Sequence, residues 1–332
     1  MKKLYLLFVL LNFEVLTTKA QTIIPSDTSG AILIRPNGIM GQTITNNSLN
    51  VGLGYHALIN NTTGNSNTGI GRFSLNSNSS GNYNSALGTN TLQNNTTGNY
   101  NVAIGQNALM SNTSGSYNIA IGLNALKSNN GPNANFEGNI AIGYNALLNA
   151  TSTRGNTSIG YNSMSNLSLG NENTAIGSDA LSLMQIGHGN TAIGNGAMYN
   201  AKNNVSKNIA VGIRAGENIA GSSNSFLGFE AGNNNVGSGN IFLGALAGYN
   251  QVFINANNKL IIDNSGSASP LIYGEFDNKI LKINGKLLLQ KNNDVPTSST
   301  SPGTEGQLAF DDQYFYICIQ NNVWKRFRLD TW

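Results

Sequence analysis

Asn101-Val102-Ala103-Ile104-Gly105-Gln106-Asn107-Ala108-Leu109 is one of twelve versions of a single phrase, and the remainder of the 332-residue chain leads into or out of that array. Its central glycine recurs as Gly54, Gly71, Gly88, Gly105, Gly122, Gly143, Gly160, Gly177, Gly194, Gly212, Gly228 and Gly244. The step is 17 residues in seven of the eleven intervals and 21, 18, 16 and 16 in the others. A fixed period of this size marks a stacked array in which each copy forms one coil against the next. Four residues before the glycine there is always an asparagine, and directly before it Ile, Leu or Val.

If Asn101 to Gly105 is a strand, Val102 and Ile104 share one face while Ala103 and Gly105 share the other. The larger face is expected to enter the core, which makes Leu53, Ile70, Leu87, Ile104, Ile121, Ile142, Ile159, Ile176, Ile193, Val211, Leu227 and Leu243 one continuous internal ladder. The opposite column is small: Gly52, Gly69, Ala86, Ala103, Ala120, Ala141, Ser158, Ala175, Ala192 and Ala210. A strictly small column predicts the close approach of a second chain, and hence an oligomer. Beyond the glycine, small-large pairs such as Ala108-Leu109, Ala125-Leu126, Ala146-Leu147 and Ala180-Leu181 read as a second short strand or a turn that fills the same core. A helix competes for Gln106 to Ser111, but the Asn, Ser, Thr and Gly flanks break it. The recurring asparagine, from Asn50 to Asn240, is expected to stack as an internal ladder whose amides bond the coils above and below. Segments such as Asn60-Asn61-Thr62-Thr63-Gly64 are turns. In the last copies Phe226 and Phe242 replace the small residue while Gly216, Gly232 and Gly248 replace the leucine, so bulk moves from one column to another.

Composition narrows the function classes. There are 57 asparagines and 39 glycines, with only 10% of residues charged. Low charge with a regular supply of aliphatic side chains differs from the signature of disorder. The formal charge of +3 is concentrated at the start, where Lys2, Lys3 and Lys19 stand against Glu14. From Thr45 to Asn257 six basic side chains face five acidic ones, so no long-range field steers a polyanion and nucleic acid is not expected as a partner. Cys318 is the lone cysteine, which precludes an intrachain disulfide or a thiolate metal cluster. Between Ile317 and Ile319 it reads as a small buried hydrophobe.

Outside the array, residues 1–20 carry a basic start, an apolar run from Leu4 to Leu11 and a Thr18-Lys19-Ala20 exit, the pattern of a secretory signal peptide. That implies a secreted or cell-surface protein, and the run is too short for a transmembrane anchor of its own. Residues 21–47 hold one apolar stretch, Ala31 to Ile34, expected to be a strand capping the first coil. The array takes 48–257. Residues 258–290 read as a neck of three strands, 291–305 as a Ser/Thr/Pro/Gly linker, and 306–332 as a small β module in which Lys325, Arg326 and Arg328 interleave with Trp324 and Phe327. The longer interval places a protruding loop between Lys127 and Gly138. At about 4.8 Å per coil, eleven steps give a rod on the order of 50 Å.

At Asn-x-Ala-Ile-Gly-x-x-Ala the array resembles the YadA-like head repeats of trimeric autotransporter adhesins, over Asn50 to about Gly248. The resemblance implies an all-β fold, a left-handed parallel β-roll or β-solenoid of about twelve coils, assembled as a homotrimer that binds host, cell, matrix or glycan surfaces. Asn258-Lys259-Leu260-Ile261-Ile262-Asp263-Asn264 and Pro270-Leu271-Ile272-Tyr273-Gly274 look like the segment found after such repeats in phage tail-fibre-like proteins. Tyr314-Phe315-Tyr316-Ile317-Cys318 and Trp324-Lys325-Arg326 are similar to a terminal module of the same proteins.

The leading expectation is therefore an exported, adhesive, non-enzymatic protein, with a phage-tail-fibre-like receptor-binding or structural fibre as the alternative. No catalytic, cofactor-binding or metal-ligating residues are assigned, and no cofactor is expected. The variable residues after each glycine, such as Tyr55-His56, Arg72-Phe73, Tyr144-Asn145 and Phe229-Glu230, form a candidate ligand-facing stripe, or are merely exposed. A hexapeptide-type acyltransferase would need a six-residue period and a catalytic histidine, whereas the step here is mostly 17 and His56 and His188 stand at a variable position and in a turn. A solenoid binding ice or ordered polysaccharide is hinted at by Thr62-Thr63 and Thr96-Thr97, which do not recur in register. Calcium-binding repeats lack their aspartate ladder.

Overall fold

A computed structural model describes residues 24–25, 32–33, 49–130, 138–288 and 295–330. The signal peptide expected over 1–20 and the tip of the loop expected between Lys127 and Gly138 lie outside the described residues. Of the expected cap, the described part is an antiparallel pair, Ile24–Pro25 with Ile32–Leu33.

The chain is all-β and its centre is a parallel β-solenoid. Each repeat contributes one three-residue strand, from Val51–Leu53 to Ile241–Leu243, and the twelve pair in parallel without a register shift. Val102, Ala103 and Ile104, for example, lie beside Ile119, Ala120 and Ile121. Lys259–Ile262 adds a thirteenth parallel strand. Ile272–Glu275 and Ile280–Ile283 then turn back antiparallel, completing a fifteen-stranded sheet. The rest of each coil is mostly turn, with short parallel pairs such as Ser152–Arg154 with Leu169–Asn171 on the opposite side.

The inward and outward faces are the reverse of the sequence expectation. Ala103 is fully buried, whereas Ile104 is 39% exposed, and in every coil the middle strand residue points inward. The reason is coil thickness. Leu109, six residues after Ala103, folds back into the core with φ at 51° and is itself fully buried. The strand position and the turn position six residues on share one volume in the coil, so when the turn supplies leucine or methionine the strand supplies alanine, serine or glycine. The small column therefore packs against its own chain and cannot be an intermolecular face.

The last coils make the same exchange in the other direction. Phe226 and Phe242 are fully buried, with ring centroids 5.1 Å apart, and the turn positions opposite are Gly232 and Gly248. Bulk moves from turn to strand while the layer stays full.

Two backbone devices fix the stacking. Asn101 Oδ1 accepts from the Asn118 amide N–H at 3.0 Å, while Asn101 Nδ2 donates to Gly115 O at 2.8 Å. Equivalent bonds to Oδ1 link Asn50 through Asn240 and end on Lys259 N, so the expected asparagine ladder exists. It satisfies buried backbone groups that no strand neighbour reaches. The motif glycine is required by close approach: Gly105 has φ at 117°, and a β-carbon there would lie 2.7 Å from the carbonyl of Gly122 in the next coil.

Residues 285–332 form a separate compact unit. Leu308–Phe310, Tyr314–Gln320 and Val323–Arg328 make an antiparallel three-stranded sheet. Ala309, Tyr316, Cys318 and Trp324 are its core, and the Trp324 indole N–H donates to Ser301 O at 3.1 Å. Cys318 is thus a buried packing residue, and Arg326 lies over the Tyr314 ring at 4.2 Å.

Candidate functional site

With the alanine column inside, the outer face of the long sheet carries the aliphatic column. In-register pairing extends it past the array through Ile262, Ile272 and Ile283, giving fifteen consecutive aliphatic residues from Leu53 to Ile283. None is buried; Leu87 and Leu227 are about half exposed. Beside it Val51, Val102, Ile119, Ile140, Ile209, Ile241 and Leu260 alternate with Thr and Ser. Contiguous apolar faces of this extent mark interaction surfaces.

Two corners border that face. The corner after the strand carries the variable residues singled out from the sequence. Tyr55, Tyr144 and Phe229 are exposed there, and the Tyr144 and Tyr161 rings stack at 5.2 Å. At the first coils His56 stacks on Tyr55, Phe73 meets both edge-on, and Arg72 covers Phe73 at 4.7 Å. The second residue of each pair does not share this exposure. Asn90, Asn107, Asn124, Asn145 and Asn162 form an amide ladder with steps of 3.0 to 3.2 Å. Glu230 is buried against Arg214. His188 accepts at Nδ1 from Asn171 N, far along the array from His56.

The corner before the strand was missed from the sequence. Tyr83, Tyr100 and Tyr117 precede the ladder asparagine in three successive coils and stack with centroids 4.9 and 5.1 Å apart, planes within 11° of parallel. The signal was available as a recurrence one residue before Asn84, Asn101 and Asn118.

Charge gathers near the end of the array. Arg214 Nε meets Glu217 at 2.7 Å and its Nη1 meets Glu230 at 3.0 Å, bridging two coils. In the neck Lys259 Nζ stands 3.9 Å from Glu275 and 3.5 Å from Asp277. Tyr273 OH donates to Glu275 Oε1 at 2.8 Å. Burial first, and this bond second, push the Tyr273 phenol up to about 12. Bonds from Asn278 and Tyr273, with Lys259 nearby, hold the Glu275 carboxyl below its usual range. Among the described residues no group of three His, Cys, Asp or Glu side chains is placed to hold a metal ion, and no helix is long and apolar enough to cross a membrane.

No protein family and no solved structure matches the chain. Two curated proteins are similar over short stretches. A capsule K30/K69-specific depolymerase of Klebsiella phage K64-1 is 53% identical over 38 residues, which is 11% of this chain and 5% of that protein. Depolymerase 1, also capsule K30/K69-specific, of Klebsiella phage K5-2 is 38% identical over 50 residues, 15% of this chain and 6% of that protein. The matched stretches thus span about a twentieth of each relative. This similarity corrects the expectation of a non-enzymatic protein, since both relatives are named as enzymes. It runs to phage proteins rather than to autotransporter adhesins, and so favours the fibre-like alternative.

Proposed function

We propose that the protein is a fibre-like rod directed at bacterial surface polysaccharide, built as a homotrimer around the outer face of its long sheet. One observation carries the assembly: fifteen aliphatic residues in an unbroken outward column, which a single chain leaves in water. Two or three copies side by side bury that column at no cost in polar groups, because the strands' hydrogen bonds run along the sheet and not out of it. The resemblance of the repeat to trimeric heads favours three. The polysaccharide target rests on the similarity to capsule depolymerases. Cutting a glycosidic bond by hydrolysis takes two carboxyl groups several ångströms apart. Among the described carboxylates, Glu217 and Glu230 are held by Arg214 and Glu275 and Asp277 by Lys259, so none of these is assigned a catalytic role and the reading rests on polysaccharide binding.

Two measurements test the reading. Light scattering on the purified chain is expected to give about three times the chain mass; a monomer would sink the assembly. Incubation with capsular polysaccharide of the K30 and K69 types is expected to give retention of the polysaccharide or new reducing ends. Neither effect, on these or on a panel of other capsules, would remove the polysaccharide target.

A further inference from the structure

Tyr83, Tyr100 and Tyr117 occupy a backbone position that does not favour them. Their φ angles are 56°, 56° and 62°, the left-handed region where a side chain is strained and glycine is not. At the equivalent place other coils use Gly155, Gly189 and Gly239, with φ of 62°, 63° and 72°, and also Ser66, Glu172, Lys207 and Ser223, with φ of 57°, 60°, 60° and 59°. The left-handed bend therefore belongs to the coil rather than to the tyrosines; what sets Tyr83, Tyr100 and Tyr117 apart is that three successive coils place an aromatic ring at it.

The row is rigid. Each tyrosine N–H donates at 3.0 Å to the carbonyl of Asn65, Asn82 or Asn99 in the preceding coil. Asn82 Oδ1 and Asn99 Oδ1 accept from the backbone of the coil before, at 2.8 Å each. Aromatic faces touch at about 3.5 to 4 Å, so centroids 4.9 and 5.1 Å apart with near-parallel planes describe offset rings that overlap in part. Tyr83, Tyr100 and Tyr117 remain 53%, 48% and 38% exposed. No Asp, Glu, Lys, Arg or His occurs from Phe73 to Leu126, the whole stretch that carries the row.

We infer that the tyrosine row is a binding site for an extended, uncharged stretch of polysaccharide lying along the solenoid axis. The advance per coil is close to the advance per sugar of an extended glycan, so successive pyranose rings meet successive tyrosines. Sugar C–H faces pack on the exposed aromatic surface, and the absence of ions gives a polyanion nothing to hold. Rigidity adds affinity, because no ring has to be ordered on binding. The inference rests on the polysaccharide-directed reading and specifies the surface and the charge class of the ligand.

The test is native affinity electrophoresis of the full chain in gels holding soluble β-1,4-linked glucomannan, with heparin as the polyanion comparison. Wild type is expected to be retarded by glucomannan and not by heparin. Replacing all three tyrosines by the glycine used elsewhere (Y83G/Y100G/Y117G) is expected to weaken retardation about ten-fold or more, with light-scattering mass and circular dichroism unchanged. The single Tyr100→Asn variant, milder for the fold, is expected to lie between. Retardation of the triple variant equal to wild type would overturn the site. So would wild type held by heparin alone or by neither polymer. A fall in mass for the triple variant would make the row a contact between copies instead. The capsule reading is decided separately, by its own assay with capsular polysaccharide.

Discussion

Gly232 lies beneath the ring of Phe226: a β-carbon on the glycine would sit 2.5 Å from Phe226 Cγ. In earlier coils the same turn position holds Leu109, Leu126 or Leu147 opposite Ala103, Ala120 or Ala141. Strand and turn positions are therefore one volume shared by two residues. Phe226→Ala is expected to cost about 3 to 5 kcal/mol as a cavity variant. Gly232→Leu alone should also destabilise, through overlap with the ring. The double variant restores the alanine-leucine pattern of the earlier coils and should recover most of the loss, giving a non-additive cycle in chemical denaturation. Additive losses would refute the shared volume.

The asparagine ladder makes a local prediction. Asn101→Ala removes the acceptor of Asn118 N–H and the donor to Gly115 O, both in a fully buried row. Leaving such groups unpaired costs about 1 to 3 kcal/mol each. Hydrogen exchange should show the Asn118 amide losing protection more than amides several coils away, because each repeat contacts only its neighbours.

Ile104 and Ile121 lie on the outer column, so charge there should act on assembly rather than on folding. Ile104→Glu with Ile121→Glu is expected to lower the light-scattering mass while leaving the circular dichroism spectrum intact. Ala103→Leu is the converse: it overfills the core and should unfold its own coil at a cost of about 1 to 3 kcal/mol or more. Unfolding by the glutamate pair, or tolerance of Ala103→Leu, would contradict the assignment of faces.

Tyr273 and Glu275 titrate in opposite directions. The phenol is raised from 10.0 to about 12, so its contribution to stability is complete below pH 10 and is lost as pH climbs toward 12. The Glu275 carboxyl is lowered from 4.5, so its contribution is present above that pH and is lost as pH falls through the depressed value. Ultraviolet titration of the phenols should find two late-ionising tyrosines, Tyr316, raised by its bond to Asp311, and Tyr273, whose step is the one that Glu275 touches. In Glu275→Gln that step should move down yet stay above 10, because burial is the larger cause. An unchanged step would separate the two residues.

How much was legible depends on what repeats. The twelve glycines, the asparagine ladder and the alternation of the strand could all be read, because each is enforced at every coil by the same backbone contact. The neck strands were readable as apolar runs between turn residues. The tyrosine row was visible as a recurrence but not recognisable as a stack, since only coiling brings residues 17 apart to a 5 Å separation.

By itself the sequence determined a stacked parallel solenoid, because a fixed period with an invariant glycine and asparagine leaves no other way to satisfy the backbone. Only the tertiary structure decided which strand face is inside. Alternation separates Ala103 from Ile104 but does not say which of them meets the core. That depends on how thick the coil is, and its thickness is set by Leu109 folding back across it in a left-handed turn. The consequence is that the small column belongs to the chain's own core, and the aliphatic column is the surface left for other molecules.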